Sequence, residues 1–217
     1  MSELDKAYET ADMLKALDLP ISKAQLDDIE RLEEEFGKEH REDLRSYFFE
    51  KCFTNYTKRI MDIRQAKIRG ELIVAKPVLL LAVIDGISTG IFKSNEFKLI
   101  EWLEEKYLML MKQYMKSSQF DKPTDISNPF WHLQSDGFWH FQYCEKPKEG
   151  ATPSKRWLKE NVSYAYVDDD LWMLLQNREW RLKLREYIIE HKLTVESRHG
   201  KMVAEGLGFM AAILLTA

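Results

Sequence analysis

Apolar residues recur every three or four positions along most of the chain, a spacing that is typical of amphipathic helices. Near the beginning this spacing predicts one helix over residues 4–17 and a second over residues 22–36. Gly37 interrupts the apolar stripe, which resumes over residues 44–63. We therefore expect this part of the chain to form a helical hairpin or one long interrupted helix, with the acidic run 33–35 on a solvated face.

The most apolar stretch comprises residues 78–87, which follow Lys76 and Pro77. Proline is tolerated in the first turn of a helix, and the alanine and leucine content favours a helix over the competing assignment, a strand of a parallel sheet. Because apolar residues lie on all its sides, we expect this helix to be the buried centre of the fold. The same spacing predicts five further helices, over residues 94–116, 154–158, 171–176, 180–191 and 203–215.

Residues 128–141 depart from the helical spacing. Two aromatic runs flank Ser135, Asp136 and Gly137, which have the composition of a tight turn, so the sequence predicts a β-hairpin here. Residues 162–167 are expected to form an edge strand or an extended link. The expected fold class is mainly α (α+β): a multi-helix domain with a small antiparallel β-hairpin.

The aromatic residues of the predicted hairpin admit two interpretations. In the first they fill the core, which is the common fate of aromatic side chains. In the second they form a recognition surface, since aromatic and imidazole rings can stack on planar ligand groups. His132, Gln134 and His140 lie among the rings and place polar groups beside them. The sequence alone leaves both interpretations open.

The composition indicates a protein that folds without covalent cross-links. Its 217 residues are 45% hydrophobic, which is enough for one well-filled domain. Cys52 and Cys144 lie far apart, which argues against a disulfide framework or a cysteine-rich zinc site and favours a reducing compartment. No segment resembling a secretion signal opens the sequence, and the apolar run 206–217 is shorter than the roughly 20 residues of a membrane-spanning helix. We expect a soluble, cytoplasmic protein with no membrane partner.

The net charge of -4 is unevenly distributed. Residues 1–40 carry the whole acidic excess, with 12 acidic and 5 basic residues, and the remainder of the chain is weakly basic. The most basic stretch, residues 59–76, directly precedes the predicted central helix. Its cations could contact phosphate groups or could simply be solvated.

Sequence motifs of catalysis are missing. There is no nucleophile elbow, no phosphate-binding loop, no zinc-protease motif and no cluster of cysteine and histidine with ligand spacing. Asp168, Asp169 and Asp170 precede a predicted helix and are expected to cap it rather than to bind a metal ion. The sequence therefore favours a binding module over an enzyme, with no catalytic residue, cofactor or metal assigned.

Lys155 and Arg156 fall in the first turn of the predicted helix that begins at Ser154. Cations at this end of a helix oppose its dipole unless an anion binds there. The pair could therefore contact phosphate groups, or it could belong to an ordinary solvated face.

Four short motifs, in this order, carry a family resemblance: Lys76–Leu81, Asn128–Leu133, Asp136–Trp139 and Ala165–Asp168. Over residues 59–192 the chain resembles the N-terminal DNA-recognition domain of HNH-type, modification-dependent restriction endonucleases. That group includes the sulfur-binding domain that reads phosphorothioate DNA.

The resemblance implies roles for individual residues. It implies that Lys76 contacts DNA, and that Asn128, Pro129 and His132, with Phe130 in the same motif, line the site for the modified phosphate. Sulfur-binding members generally have an aromatic residue where this chain has Asn128, which makes the site more polar. The HNH nuclease motif is not found within these 217 residues.

The resemblance also implies a division of the chain. Residues 1–58 are expected to form an acidic helical extension, residues 59–192 the DNA-recognition-like domain and residues 193–217 a C-terminal helix. DNA, in modified form, is the expected ligand, and the N-terminal helices are the candidate surface for a homodimer or a nuclease partner.

Three hypotheses follow for the function. The first is a DNA-recognition module in a restriction or defence system. The second is the specificity part of an HNH nuclease whose catalytic domain lies outside this chain. The third is a helical protein-interaction module. For the first hypothesis we expect Lys76, Lys155 and Arg156 to converge on one face.

Overall fold

The computed structural model describes residues 1–68, 71–115, 123–144 and 153–193. Within these ranges the helices are α1 (Glu3–Ala16), α2 (Lys23–Glu35), α3 (Glu42–Met61), α4 (Ala75–Ser88), α5 (Glu101–Tyr114), α6 (Ser127–His132), α7 (Lys155–Asn161), α8 (Asp169–Gln176) and α9 (Arg178–Ile188). The strands are β1 (Lys67–Ile68), β2 (Glu71–Leu72), β3 (Trp139–Tyr143) and β4 (Val162–Val167). A 3₁₀ turn covers Leu133–Asp136, and a π-helical turn covers Ile189–Leu193. The helix predicted over residues 203–215 lies outside the described residues.

Helix α4 lies at the centre of the fold, as the sequence predicts. Only Lys76, Asp85 and Ser88 of this helix escape full burial. Helices α5, α6, α8 and α9 pack around it. Fully burying one large aliphatic side chain stabilises a protein by about 1.5–3 kcal/mol, so this helix contributes a large part of the apolar burial. The competing assignment as a strand is wrong.

The mainly helical class with a small antiparallel β element is confirmed, but the predicted position of the hairpin is wrong. The first aromatic run forms α6 and the 3₁₀ turn instead of a strand. Gly137, with φ of 83°, ends that turn in the left-handed conformation that glycine adopts readily. The second aromatic run is β3, and it pairs with the distant strand β4, with His140 opposite Tyr166. Among the described residues, the only antiparallel strands separated by just two residues in the sequence are β1 and β2.

Strand β4 is paired on both sides, which corrects its assignment as an edge strand. Across from β3, Phe97 and Ala165 exchange two backbone hydrogen bonds, of 2.7 and 2.8 Å. The ring of Phe97 stacks on Trp139 with a centroid distance of 5.5 Å. This pairing holds residues near Phe97 in an extended conformation, so the helix predicted from Ser94 begins only at Glu101.

Most aromatic side chains of the segment 128–141 belong to the core. Phe130, Phe138 and Trp139 are buried, and Phe130 lies edge-on to Trp139 at 5.4 Å. Trp131 stacks on Phe141 at 5.5 Å between α6 and the inner face of β3. The first of the two interpretations of these rings is therefore confirmed for the fully buried ones.

The N-terminal helices are continuous with this core. Helix α3 runs through the predicted boundary at residue 58 and packs on α8 and α9. Glu33 was expected on a solvated face, but its side chain is buried. Its carboxylate accepts hydrogen bonds from the Tyr8 hydroxyl at 2.7 Å and the Arg41 backbone N–H at 3.1 Å, and lies 2.8 Å from the His40 ring. These contacts satisfy the buried charge and tie α1 and α2 to the start of α3.

Gly86 lies on α4 where this helix packs closely against Phe92, in the segment before α5, and against Trp102 of α5. A Cβ atom at this position would lie 2.5 Å from the ring of Phe92 and 3.0 Å from that of Trp102. We expect Gly86→Ala to lower the free energy of unfolding by about 1 kcal/mol, because overpacking costs about 1–3 kcal/mol and outweighs the gain in helix propensity. Urea unfolding measures this change. The exposed Ser88→Ala on the same helix is the control, and a Gly86→Ala protein more stable than wild type would contradict the packing.

Candidate nucleic-acid interface

Helix α6 presents the residues that the family motif singles out. Asn128 is exposed and His132 is partly exposed, whereas Pro129 and Phe130 are buried. Pro129 occupies the first turn, where the helix needs no backbone N–H, and Asp125 accepts a hydrogen bond from the backbone N–H of Ser127 at 2.9 Å. The short helix therefore exposes two polar side chains above a firmly packed base.

A buried ion pair joins this segment to the start of α4. The ammonium of Lys76 lies 2.7 Å from the Asp136 carboxylate, and their side chains are only 12% and 4% exposed. Asp136 also accepts a hydrogen bond from the backbone N–H of Arg64 at 3.3 Å. One carboxylate thus connects the basic segment, the central helix and the turn that follows α6.

Two of the candidate residues, Lys76 and Phe130, have little exposed surface. Lys76 is engaged with Asp136 and its side chain is only 12% exposed, so its ammonium holds the turn and has little access to a phosphate group. Phe130 is buried between Trp139 and Phe141 and supports α6 from beneath. Two cations in the segment just before Lys76 are exposed to solvent: Arg64 and Lys67.

Lys155 and Arg156 are adjacent on α7 but have different surroundings. The ammonium of Lys155 lies 2.8 Å from Glu104 on α5, and this hydrogen bond raises the pKa of the lysine. Burial alone would raise the pKa of Glu104, but its bonds with Lys155 and Lys159 outweigh burial and lower it. Arg156 is 86% exposed and pairs with Glu160 in the next turn. Lys76 and Lys155 are therefore held by acids on different elements.

A cleft lies between β4, α7 and the segment that contains Phe97. Its volume is about 210 Å³, its apolar lining includes Phe130 and Leu158, and its rim carries Lys98, Lys159 and Tyr164. Periodicity in the sequence did not single out these rim residues. The signal that could have found them is the alternation along β4, where Tyr164 and Tyr166 fall between buried residues.

Asp168 does not cap α8 with its side chain, which corrects the expected role. Its backbone stands at the N-cap position without a side-chain hydrogen bond to the helix. The carboxylate instead accepts bonds from Arg59 at 2.7 Å and the Tyr56 hydroxyl at 3.0 Å, and lies 2.6 Å from His140. Burial and the neighbouring Asp168 raise the pKa of Tyr56 well above its usual range.

The described residues offer neither a metal site nor a membrane-spanning helix. Among them, no group of three or more histidine, cysteine, aspartate or glutamate side chains could hold a metal ion. Over the same residues, no helix combines the length and apolar character needed to cross a membrane.

The described residues form a mainly helical domain with a small antiparallel sheet. A family model described as "ScoMcrA-like, DNA sulfur-binding domain" matches residues 54–207. Because this match covers well over half of the chain, the protein belongs to that family, which confirms the resemblance inferred from the sequence.

Two solved structures are similar to this chain. The sulfur binding domain of ScoMcrA complexed with phosphorothioated DNA is 19% identical, with a TM-score of 0.50, over 71% of this chain and 97% of that one. The sulfur binding domain and SRA domain of ScoMcrA complexed with phosphorothioated DNA is 22% identical, with a TM-score of 0.49, over 62% of this chain. The match spans 41% of the length of that longer protein. No curated protein matches the chain.

The ion pair between Lys76 and Asp136 generates a prediction about stability. Removing one partner of a buried pair leaves an uncompensated charge, so we expect Lys76→Met to lower the free energy of unfolding by roughly 3 kcal/mol. The double variant Lys76→Met with Asp136→Asn should lose less than the sum of the two single losses. Urea unfolding of the single and double variants measures this coupling. The exposed Lys38→Met is the control, and strictly additive losses would show that the pair contributes no interaction energy.

Proposed function

We propose that this protein is a DNA-recognition module that binds phosphorothioate-modified DNA in a restriction or defence system. Its membership of the ScoMcrA-like DNA sulfur-binding family over residues 54–207 carries the proposal. The matched range includes the basic segment before α4, the anchored helix α6 and both strands of the larger sheet. A related domain of known structure is described in complex with phosphorothioated DNA.

The chemistry of the modified group accounts for the composition of the proposed site. Sulfur in place of a phosphate oxygen makes that side of the group less hydrated, while the group keeps its negative charge. A site for it needs an apolar surface beside hydrogen-bond donors or cations. We assign the donors to the exposed Asn128 and the partly exposed His132, and the apolar part to the packed base of α6, which contains Pro129. The amide of Asn128, in place of an aromatic ring, makes this site more polar than is general in the family.

The remaining candidate residues have supporting roles in this proposal. Lys76 positions the turn after α6 through Asp136. Phe130 holds the helix against the aromatic core. Lys155 and Arg156 provide contacts to the sugar-phosphate backbone, for which the exposed guanidinium of Arg156 is better placed than the paired Lys155. A module of this kind acts where the cell keeps its DNA, so we assign the protein to the cytoplasm.

The N-terminal helices are the proposed surface for a partner, either a second copy of this chain or a nuclease that cleaves the recognised DNA. They precede the part of the chain that the family model matches. The large apolar side chains that are exposed in this part of the chain include Met13, Leu17, Leu19 and Phe36. In this proposal cleavage belongs to the partner, and the present chain supplies specificity.

The proposed role of α6 generates a prediction about discrimination. Affinity is measured by fluorescence anisotropy for two duplexes of one sequence, with and without a phosphorothioate. We expect His132→Ala to reduce the ratio of the two affinities about fivefold, the equivalent of one hydrogen bond of ~1 kcal/mol. Pro129→Ala should reduce the ratio as well, because it loosens the packed base that holds Asn128 and His132 in place.

Thermal melting of the same variants distinguishes a binding effect from loss of structure. Pro20→Ala, in the N-terminal part of the chain, is the matched control for Pro129→Ala and should leave the ratio unchanged. An equal loss of affinity for both duplexes would show that His132 and Pro129 contribute to binding of the DNA backbone in general and not to recognition of the phosphorothioate. A folded wild-type protein that binds neither duplex would end the proposal.

The assignment of Lys155 and Arg156 predicts a change in salt dependence. Removing one phosphate contact should reduce the slope of log K against log salt by about 0.9 on duplex DNA. We expect this reduction for Arg156→Gln and a smaller one for Lys155→Gln, whose ammonium is shared with Glu104. Lys38→Gln, outside the matched range, is the control. Slopes equal to that of the control would remove both residues from the interface.

A further inference from the structure

The sheet has an outer face that the site on α6 does not use. In the antiparallel pairing, His140 lies opposite Tyr166 and Gln142 lies opposite Tyr164, so these four side chains share one face. The other face carries Trp139 and its neighbours, and it packs against α6 and the core. Two tyrosine rings and an imidazole therefore line the side of the sheet that points away from α6.

The rings on this face form a continuous aromatic surface. The centroids of Tyr164 and Tyr166 are 6.1 Å apart, and those of Tyr166 and His140 are 5.1 Å apart. All three residues are partly exposed. Within the described part of the chain neither tyrosine hydroxyl has a hydrogen-bond partner, so no polar contact of the fold accounts for a tyrosine at either position. Exposed aromatic faces of this kind can stack on nucleobases, whatever the base sequence.

Cations adjoin the Tyr164 end of this surface. Phe97 pairs with Ala165 and turns its ring to the core, so the alternation along the chain directs Lys98 to the outer face. Lys98 is exposed and shares the rim of the 210 Å³ cleft with Lys159 and Tyr164. Lys159 contacts Glu104, which Lys155 also contacts, so two cations surround one carboxylate.

Acidic groups predominate at the opposite end of the surface. Asp168 is bonded to Arg59 and contacts His140, and the exposed Glu96 precedes Phe97. An anionic ligand therefore meets favourable charge beside Tyr164 rather than beside Tyr166. This asymmetry orients a ligand that has a flat part and an anionic part.

We propose that this face, bounded by Tyr164, Tyr166, Lys98 and Lys159, is a second nucleic-acid contact that holds an unstacked nucleotide. The base stacks on Tyr164 or Tyr166, and its phosphate lies beside Lys98 and Lys159. The contact goes beyond the proposed reading of the modified phosphate, because it lies on the other side of the sheet and recognises a base lifted out of its helix. Single-stranded DNA is the simplest ligand of this chemistry.

The test compares two oligomers that differ only in their bases. Binding of a thymidine oligonucleotide and of an abasic phosphodiester of equal length is measured by anisotropy with the full chain. We expect the wild type to bind the thymidine oligomer more tightly, and Tyr164→Leu or Tyr166→Leu to remove about 5- to 150-fold of that affinity, the range for removal of one stacked base. The same variants should bind the abasic oligomer as the wild type does.

Matched variants separate stacking from folding and from charge. Tyr164→Phe and Tyr166→Phe keep the ring and should retain binding, and melting temperatures confirm that the leucine variants fold. Lys98→Gln should weaken binding of both oligomers and lower the single-strand salt slope by about 0.7, while Lys38→Gln should change neither. Equal affinity of the wild type for both oligomers, or leucine variants that lose no preference, would overturn the stacking contact.

The outcome is distinguishable from that of the proposed function. The ratio of affinities for modified and unmodified duplexes is measured in the same tyrosine variants, and it should stay at the wild-type value because α6 is unchanged. Loss of that ratio without loss of thymidine binding would place the tyrosines in the phosphorothioate site and overturn the second contact. Failure to bind any single strand would do the same, whether or not the duplexes are discriminated.

Discussion

The need to cover α4 on every side is the constraint on which the rest of the structure depends. A helix with apolar residues all round has no face that can be left to water. Among the described residues, four other helices therefore pack on it. Two of its polar side chains form ion pairs: Lys76 with Asp136 near the first turn, and Asp85 with Lys106 and Arg185 near the last turn. The candidate site lies near the first turn because the Lys76–Asp136 pair holds the turn after α6 there.

The aromatic core explains how so short a helix as α6 can hold the residues of the candidate site in place. Six residues are too few to be stable alone, because helix nucleation is costly. The rings of Phe130 and Trp131 pack on β3, and β4 fixes β3 by pairing along its length. The exposed Asn128 and the partly exposed His132 are thus supported by packing rather than by the helix itself. Preorganisation of this kind lowers the cost of ordering side chains when a ligand binds.

The two faces of the sheet divide the aromatic residues between structure and surface. On the inner face, Trp139 and Phe97 are buried and stack on each other. On the outer face, Tyr164 and Tyr166 are partly exposed, and their polar hydroxyl groups are compatible with contact to water. The inner packing supports α6, because Phe130 and Trp131 of this helix pack on the rings of β3. The rings on the outer face do not support α6, and they are the reason for proposing a separate nucleic-acid contact there.

The sequence by itself determined the helical class, the buried position of α4 and the family, because periodicity and short ordered motifs are local properties of the chain. It misplaced the hairpin, since Ser-Asp-Gly is also compatible with a 3₁₀ turn ending at Gly137, and the true partner of β3 comes only after α7 in the chain. Only the tertiary structure decided that Lys76 is paired with Asp136, that Asp168 binds Arg59, and that Tyr164 and Lys98 share one rim. Each of these contacts joins residues far apart in the chain, where no local pattern records which partner is chosen.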